Sequence, residues 1–201
     1  MSEDRFRRPA LPGAALFESL PGRDDPAKRA EAGTRVARLL VRGAHDADDA
    51  EVTQRIVTLA DEHGLELLAD LWSGAPADSL AGALWRLYLL RASVHSDPGR
   101  SAAEYAAGRS LAPVLEVVAG VIDPPGPVEV VEMVDLTLRG VACGDLATTF
   151  DRAAAFAKIL AIGRARSGDD DTATTVAARR LADTADQLEL AARAEREHRL
   201  V

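Results

Sequence analysis

Apolar residues recur along this chain at intervals of three and four, the spacing that gathers side chains on one face of an α-helix. Each stripe is bounded by residues suited to helix ends. Asp25-Pro26 joins an N-cap to a proline fit for the first turn, opening a helix that runs to about Arg42 and stops at Gly43. Asp48 or Asp49 opens a second, carrying Val52, Ile56, Val57 and Ala60 and closed by Gly64-Leu65. A short third helix covers about Leu65 to Ser73, and Ser79 caps a fourth from Leu80 to about Val94. Asp97-Pro98 starts a fifth, with Ser101 and Glu104 at capping-box spacing, and Pro113 a short sixth to about Val121.

Asp123-Pro124-Pro125-Gly126-Pro127 is the clearest linker, and Pro127 begins a helix striped by Val130, Val131, Val134, Leu138 and Val141. Asp145 caps another with Leu146, Phe150, Ala153, Ala157 and Leu160 on one face. Thr172 to about Arg199 reads as one last helix, roughly 40 Å long at about 1.5 Å per residue. No strand-like alternation persists and no fixed-period repeat is present. The expected fold is all-α: a single-domain bundle of about eight to nine helices over residues 25–201, with a long C-terminal helix. A subdomain break would fall at 123–127, but each half alone holds only short helices with stripes still to cover. Residues 1–24, broken by Pro9, Pro12, Gly13, Pro21 and Gly22, read as a flexible N-terminal arm. Within it Leu16, Phe17 and Leu20 form a short apolar segment that either packs on the chain's own core or docks in a partner's groove.

Composition sharpens this picture. The 201 residues are 47% hydrophobic but only 4% aromatic, so Ala, Leu and Val carry the core and let helix axes approach closely. The formal net charge of −8 opposes binding to a phosphate backbone. Arg164, Arg166, Arg179 and Arg180 are offset by Asp169 to Asp171, Asp183 and Asp186, so nucleic acid is not an expected partner. A single cysteine, Cys143, excludes an internal disulfide, and with no histidine near it in sequence it reads as a structural thiol. No apolar run approaches the roughly 18 residues of a membrane span. Met1 to Pro12 is charged and lacks the apolar core of a secretory signal, which makes the cytoplasm the expected compartment.

The helix from Leu80 is unusual because its polar positions shrink to Gly82, Arg86 and Ser93, the pattern of a helix surrounded by others. Trp85 and Tyr88 are expected to form core with Trp72; the sharper alternative makes them walls of a cofactor slot. Arg91 breaks the apolar stripe of Leu80, Leu84, Leu87 and Val94, with His95 one turn on. Either this end of the helix emerges into solvent, or Arg91 pairs internally with a residue such as Asp70, Glu104 or Asp135, or it grips an anionic ligand.

Histidines at 45, 63 and 95 lie at expected helix C-termini, without the spacing of a metal site. Glu195 and His198 have the Glu-x-x-His spacing of di-iron bundles, but one such pair in a highly charged stretch reads as a solvated face. Asp169 to Asp171 lack calcium-loop spacing. No catalytic residue, metal site or cofactor is therefore expected. The last helix has a narrow face of Ala177, Leu181, Ala185, Leu188 and Ala192, supported by Glu189–Arg193 and Glu195–Arg199 pairs. It is expected to pack at its start and project at its end, or to pair two copies as a homodimer through Leu181 and Leu188.

The expected function is non-enzymatic, a scaffold or regulatory module acting by protein–protein interaction. The alternative is a protein or enzyme binding a small anionic molecule around residues 80–95, with Arg91, His95, Trp85 and Tyr88 in the site. A third reading is a transcription-associated DNA binder.

Overall fold

The computed structural model describes residues 26–43, 65–111, 124–138, 145–167 and 172–200, and among these every regular element is a helix. Seven helices are described: α1 (Pro26–Arg42), α2 (Leu65–Trp72), α3 (Leu80–Ser96), α4 (Pro98–Arg109), α5 (Pro127–Leu138), α6 (Leu146–Ser167) and α7 (Thr172–Arg196). The helices expected over 48–63 and 113–121 lie outside the described residues, as do Leu16, Phe17, Leu20, His45, His63, Val141, Cys143 and Asp169 to Asp171.

The ends follow local chemistry. Gly43, at φ 75°, closes α1 in the left-handed region and donates its N–H to the Leu39 carbonyl at 3.1 Å. The Ser79 hydroxyl accepts from the Gly82 N–H at 3.1 Å, and the Asp97 carboxylate accepts from the Arg100 N–H at 2.9 Å. The capping box expected from Ser101 and Glu104 does not form. The cap lies four residues earlier, at Asp97, so both side chains fall inside α4 and face inward.

Helix α3 touches each of the other six described helices. Leu80, Leu84, Leu87, Leu90 and Val94 are buried along it. Its outward strip differs from the expected one. Gly82 is buried because only a hydrogen fits beside the Pro76 carbonyl. Arg86 reaches across to the Gln187 side chain of α7 and donates to the Gly82 carbonyl at 2.7 Å. Leu89, 42% exposed, faces solvent instead. Trp72 is fully buried, its indole N–H bonded to the Gly33 carbonyl at 3.0 Å, whereas Trp85 and Tyr88 are half-buried at the core's margin.

A second central helix is α6, on which Ala153, Ala154, Phe156, Ala157 and Leu160 are buried on nearly every side. It pairs antiparallel with α7, since Lys158 bonds Glu189 while Asp151 bonds Arg196. Helix α4 crosses α6 at very close range: Gly108 lies against the Ile159 carbonyl and Gly163 against the Glu104 carbonyl.

The last helix behaves opposite to expectation. Its start is exposed, with Val176 open to solvent, and its end is held. Arg42 of α1 forms a two-pronged pair with buried Glu195 and donates to the Leu200 carbonyl at 3.3 Å. After Arg196 the chain turns back. The Arg199 N–H donates to the Ala194 carbonyl at 2.8 Å and the His198 N–H to the Glu195 carbonyl at 2.9 Å, with His198 at φ 53°. That is the Schellman arrangement, and it buries Leu200. Glu195 therefore does not belong to a solvated face, and the expected pairs within α7 give way to Glu189–Lys158 and Glu197–Arg199. Leu181 and Leu188 are buried in the chain's own core, so a two-copy seam through them would first have to empty that core.

Candidate functional site

Three helix ends meet around the Asp97-Pro98 break. The last turn of α3, the first of α4 and the first of α5 leave a cleft of about 450 Å³. Its walls are Val94, Pro98, Ala102, Pro127, Val128 and Val131, with His95 and Glu132 supplying the polar groups. Val94 belongs to the core, while Val128 is 66% exposed. A β-branched apolar side chain so open to water leaves area that a ligand or partner can cover favourably.

Of the four residues singled out on this helix, only His95 lines the cleft. Arg91, one turn earlier, is held by the Asp135 carboxylate of α5 and fastens the two helices together. Trp85 and Tyr88 stack on each other, ring centroids 5.5 Å apart and planes 17° from parallel. Burial raises the Tyr88 hydroxyl pKa above its ordinary value; Glu66 and, more weakly, Asp70 push the same way, while Arg91 opposes them.

The chain matches no family model, no curated protein and no solved structure.

Among the described residues, the two buried carboxylates Glu104 and Glu195 are each met by arginine. Glu104, 3% exposed, accepts from Arg164 at 2.9 to 3.1 Å and from Arg100 at 2.7 Å. Burial alone would raise its pKa. The hydrogen bonds from Arg164 and then Arg100, with the charges of both, outweigh that and hold it below the usual carboxylate range. The Arg42 guanidinium is raised above its ordinary value by its bond to Glu195, against the opposing effect of burial. Among the described residues, no group of three or more His, Cys, Asp or Glu side chains converges as a metal site, and no helix is long and apolar enough to cross a membrane.

Sequence reasoning missed two features here. Capping-box spacing and the search for a partner to Arg91 both draw attention to Glu104, yet the pairing signal visible in sequence is Arg100, four residues before it. The cleft arises from the meeting of helices distant in sequence, and only the prolines at 98 and 127 mark its rim.

Proposed function

We propose that this chain is a protein-binding helical module whose cleft between α3, α4 and α5 receives the apolar side of a partner segment. The observation that carries the reading is the exposed Val128 on the wall of an open, largely apolar cleft. Glu129 and Glu132, both exposed on the first turns of α5, add negative charge at the rim. The occupant is therefore an apolar anchor, such as Leu or Phe, with Lys or Arg beside it. An anion clamp fits less well, because Arg91 already carries a carboxylate counter-charge in Asp135.

The test places a photo-crosslinking residue at position 128, with position 176 on α7 as an exposed control. The expected result is one protein crosslinked from 128 and not from 176. Once that protein is purified, Val128→Asp weakens its binding at least about tenfold, as removal of an interface anchor does. Binding indifferent to Val128→Asp refutes the reading.

A second reading is favoured by the cleft's size, which lies within the roughly 300–1,000 Å³ of small-molecule sites. Its occupant would be a small apolar compound. Native mass spectrometry of the chain purified from its host decides for it by showing a bound small molecule that Val131→Trp excludes.

A further inference from the structure

The cleft between α3, α4 and α5 joins apolar walls to an acidic rim. Val128 and Val131 of α5 face it, Glu132 lines it and Glu129 stands three residues earlier, both carboxylates being exposed. The arginines that flank His95 in sequence are engaged elsewhere, Arg91 by Asp135 and Arg100 by Glu104. An apolar segment that carries cations suits such a place, and one that carries an acid does not.

The chain itself holds one segment of that kind, outside the described residues. Phe6 is its only aromatic residue with arginine on both sides, in Arg5-Phe6-Arg7-Arg8. Glu3 and Asp4 precede this block without interrupting it. The other apolar stretch ahead of α1, Leu16-Phe17-Glu18-Ser19-Leu20, has an acid at its centre that would meet Glu129 and Glu132 as a like charge. Chain length permits the contact. Helix α1 begins beside the start of α3, because Arg29, Ala30 and Gly33 share a recess with Pro76 and Ala81. The cleft lies at the other end of α3, whose 17 residues span about 25 Å. Residues 7–25, the stretch between Phe6 and Pro26, reach about 60 Å when extended, more than twice that span.

We infer that Arg5-Phe6-Arg7-Arg8 occupies the cleft of its own chain, with Phe6 against Val128 and Val131 and its arginines toward Glu129 and Glu132, until a partner displaces it. The inference rests on the cleft being a protein-binding site and adds the regulation of that site. One aromatic anchor and a few exposed ion pairs give a Kd on the order of 0.1 mM for the free segment. A tether with slack holds the segment at an effective concentration of about 1 mM. The ratio of the two keeps the cleft covered roughly nine-tenths of the time and weakens a partner's apparent affinity about tenfold. Such a cover is displaced by any partner that binds well.

The test uses the full chain, purified alone, with photo-crosslinking benzoylphenylalanine at position 128 and exposed position 176 on α7 as the control. Mass spectrometry is expected to find a crosslink from 128 to residues 4–10 of the same chain, in a yield independent of protein concentration and absent from 176. Phe6→Asp reduces that yield at least about fivefold. In a second measurement, a labelled peptide spanning Asp4 to Ala10 binds the Phe6→Asp chain about tenfold more tightly than the parent, whose cleft is already covered. Glu129→Lys with Glu132→Lys, both at exposed positions, weakens that peptide about tenfold. The inference is overturned by crosslinks that miss residues 4–10, by crosslinks that join two chains, or by a peptide that binds parent and Phe6→Asp chains alike. A partner captured at 128 that binds those two chains equally also overturns it, while the cleft remains a protein-binding site. An intact intrachain crosslink beside partner binding indifferent to Val128→Asp refutes the partner reading alone.

Discussion

Replacing Gly163 by alanine sets two effects of opposite sign against each other. In an exposed helix interior, Gly to Ala gains about 1 kcal/mol from backbone entropy and helix propensity. At Gly163 the added methyl would overlap the Glu104 carbonyl oxygen, lie 2.6 Å from its carbonyl carbon and 3.0 Å from the Gly108 nitrogen. These are backbone atoms of the opposite helix, so no side chain can rotate away and α4 must move off α6. Overpacking of that kind costs about 1–3 kcal/mol. The movement also stretches the Glu104–Arg164 bonds that span the same crossing, now 2.9 to 3.1 Å long. The expected net change is a loss of about 1–2 kcal/mol despite the propensity gain, lowering Tm by roughly 2–8 °C for a chain of this size. Gly99→Ala is the matched control, because its methyl would find only the Asp97 carboxylate, at 3.8 Å, in the first turn of α4. That substitution is expected to stabilise by a few tenths of a kcal/mol. Urea unfolding measures both, with equal slopes required so that midpoints report stability. A Gly163→Ala variant as stable as the parent would show that α4 and α6 do not cross this closely.

Protonating Glu104 removes the partner of two guanidinium groups, and its lowered pKa fixes the sign. Its contribution is fully present above the ordinary carboxylate range and is lost as pH falls through that range and below it. Glu104→Gln should cost about 3 kcal/mol at neutral pH and flatten that acid limb of the stability curve; an unchanged limb in urea titrations would exonerate Glu104. His198 holds a left-handed conformation that costs a non-glycine residue about 1 kcal/mol, so His198→Gly should raise Tm by roughly 1–3 °C in calorimetry, and a fall would mean the turn is not formed. Arg91→Asp beside Asp135 should destabilise, and adding Asp135→Arg should recover most of the loss; a double-mutant cycle with coupling below about 0.5 kcal/mol would mean the pair is not made in solution.

Helices were legible in this sequence because their signals are local. Pro26, Ser79, Asp97-Pro98, Pro127 and Asp145 each mark a start by chemistry confined to a few neighbouring residues, and five of the seven described helices begin there. The central place of α3 was legible too, since a helix apolar on nearly every side must be surrounded. Its neighbours were not. Arg91 broke the stripe visibly, yet nothing in the sequence chose among Asp70, Glu104 and Asp135. That choice depends on which helices adjoin α3 and in what register.

Register is the quantity this composition hides. Faces built from alanine, as on α6 and α7, are smooth at many offsets, so shape alone selects one arrangement weakly. In this fold the selection falls to features that tolerate no sliding. Gly108 and Gly163 permit contact only where each meets a carbonyl of the other helix. Glu104 with Arg164, and Glu195 with Arg42, leave a buried charge unpaired in any other register. Those residues look unremarkable in sequence for the same reason they matter in the fold: a glycine within a helix and a charge at its edge acquire meaning only from a partner some 50 to 150 positions away. The surface proposed for a partner inverts that logic. Val128 is an apolar group left 66% exposed on the wall of the cleft. Contact with another molecule would cover it, as the chain's own helices cover the neighbouring Val94 and Val130.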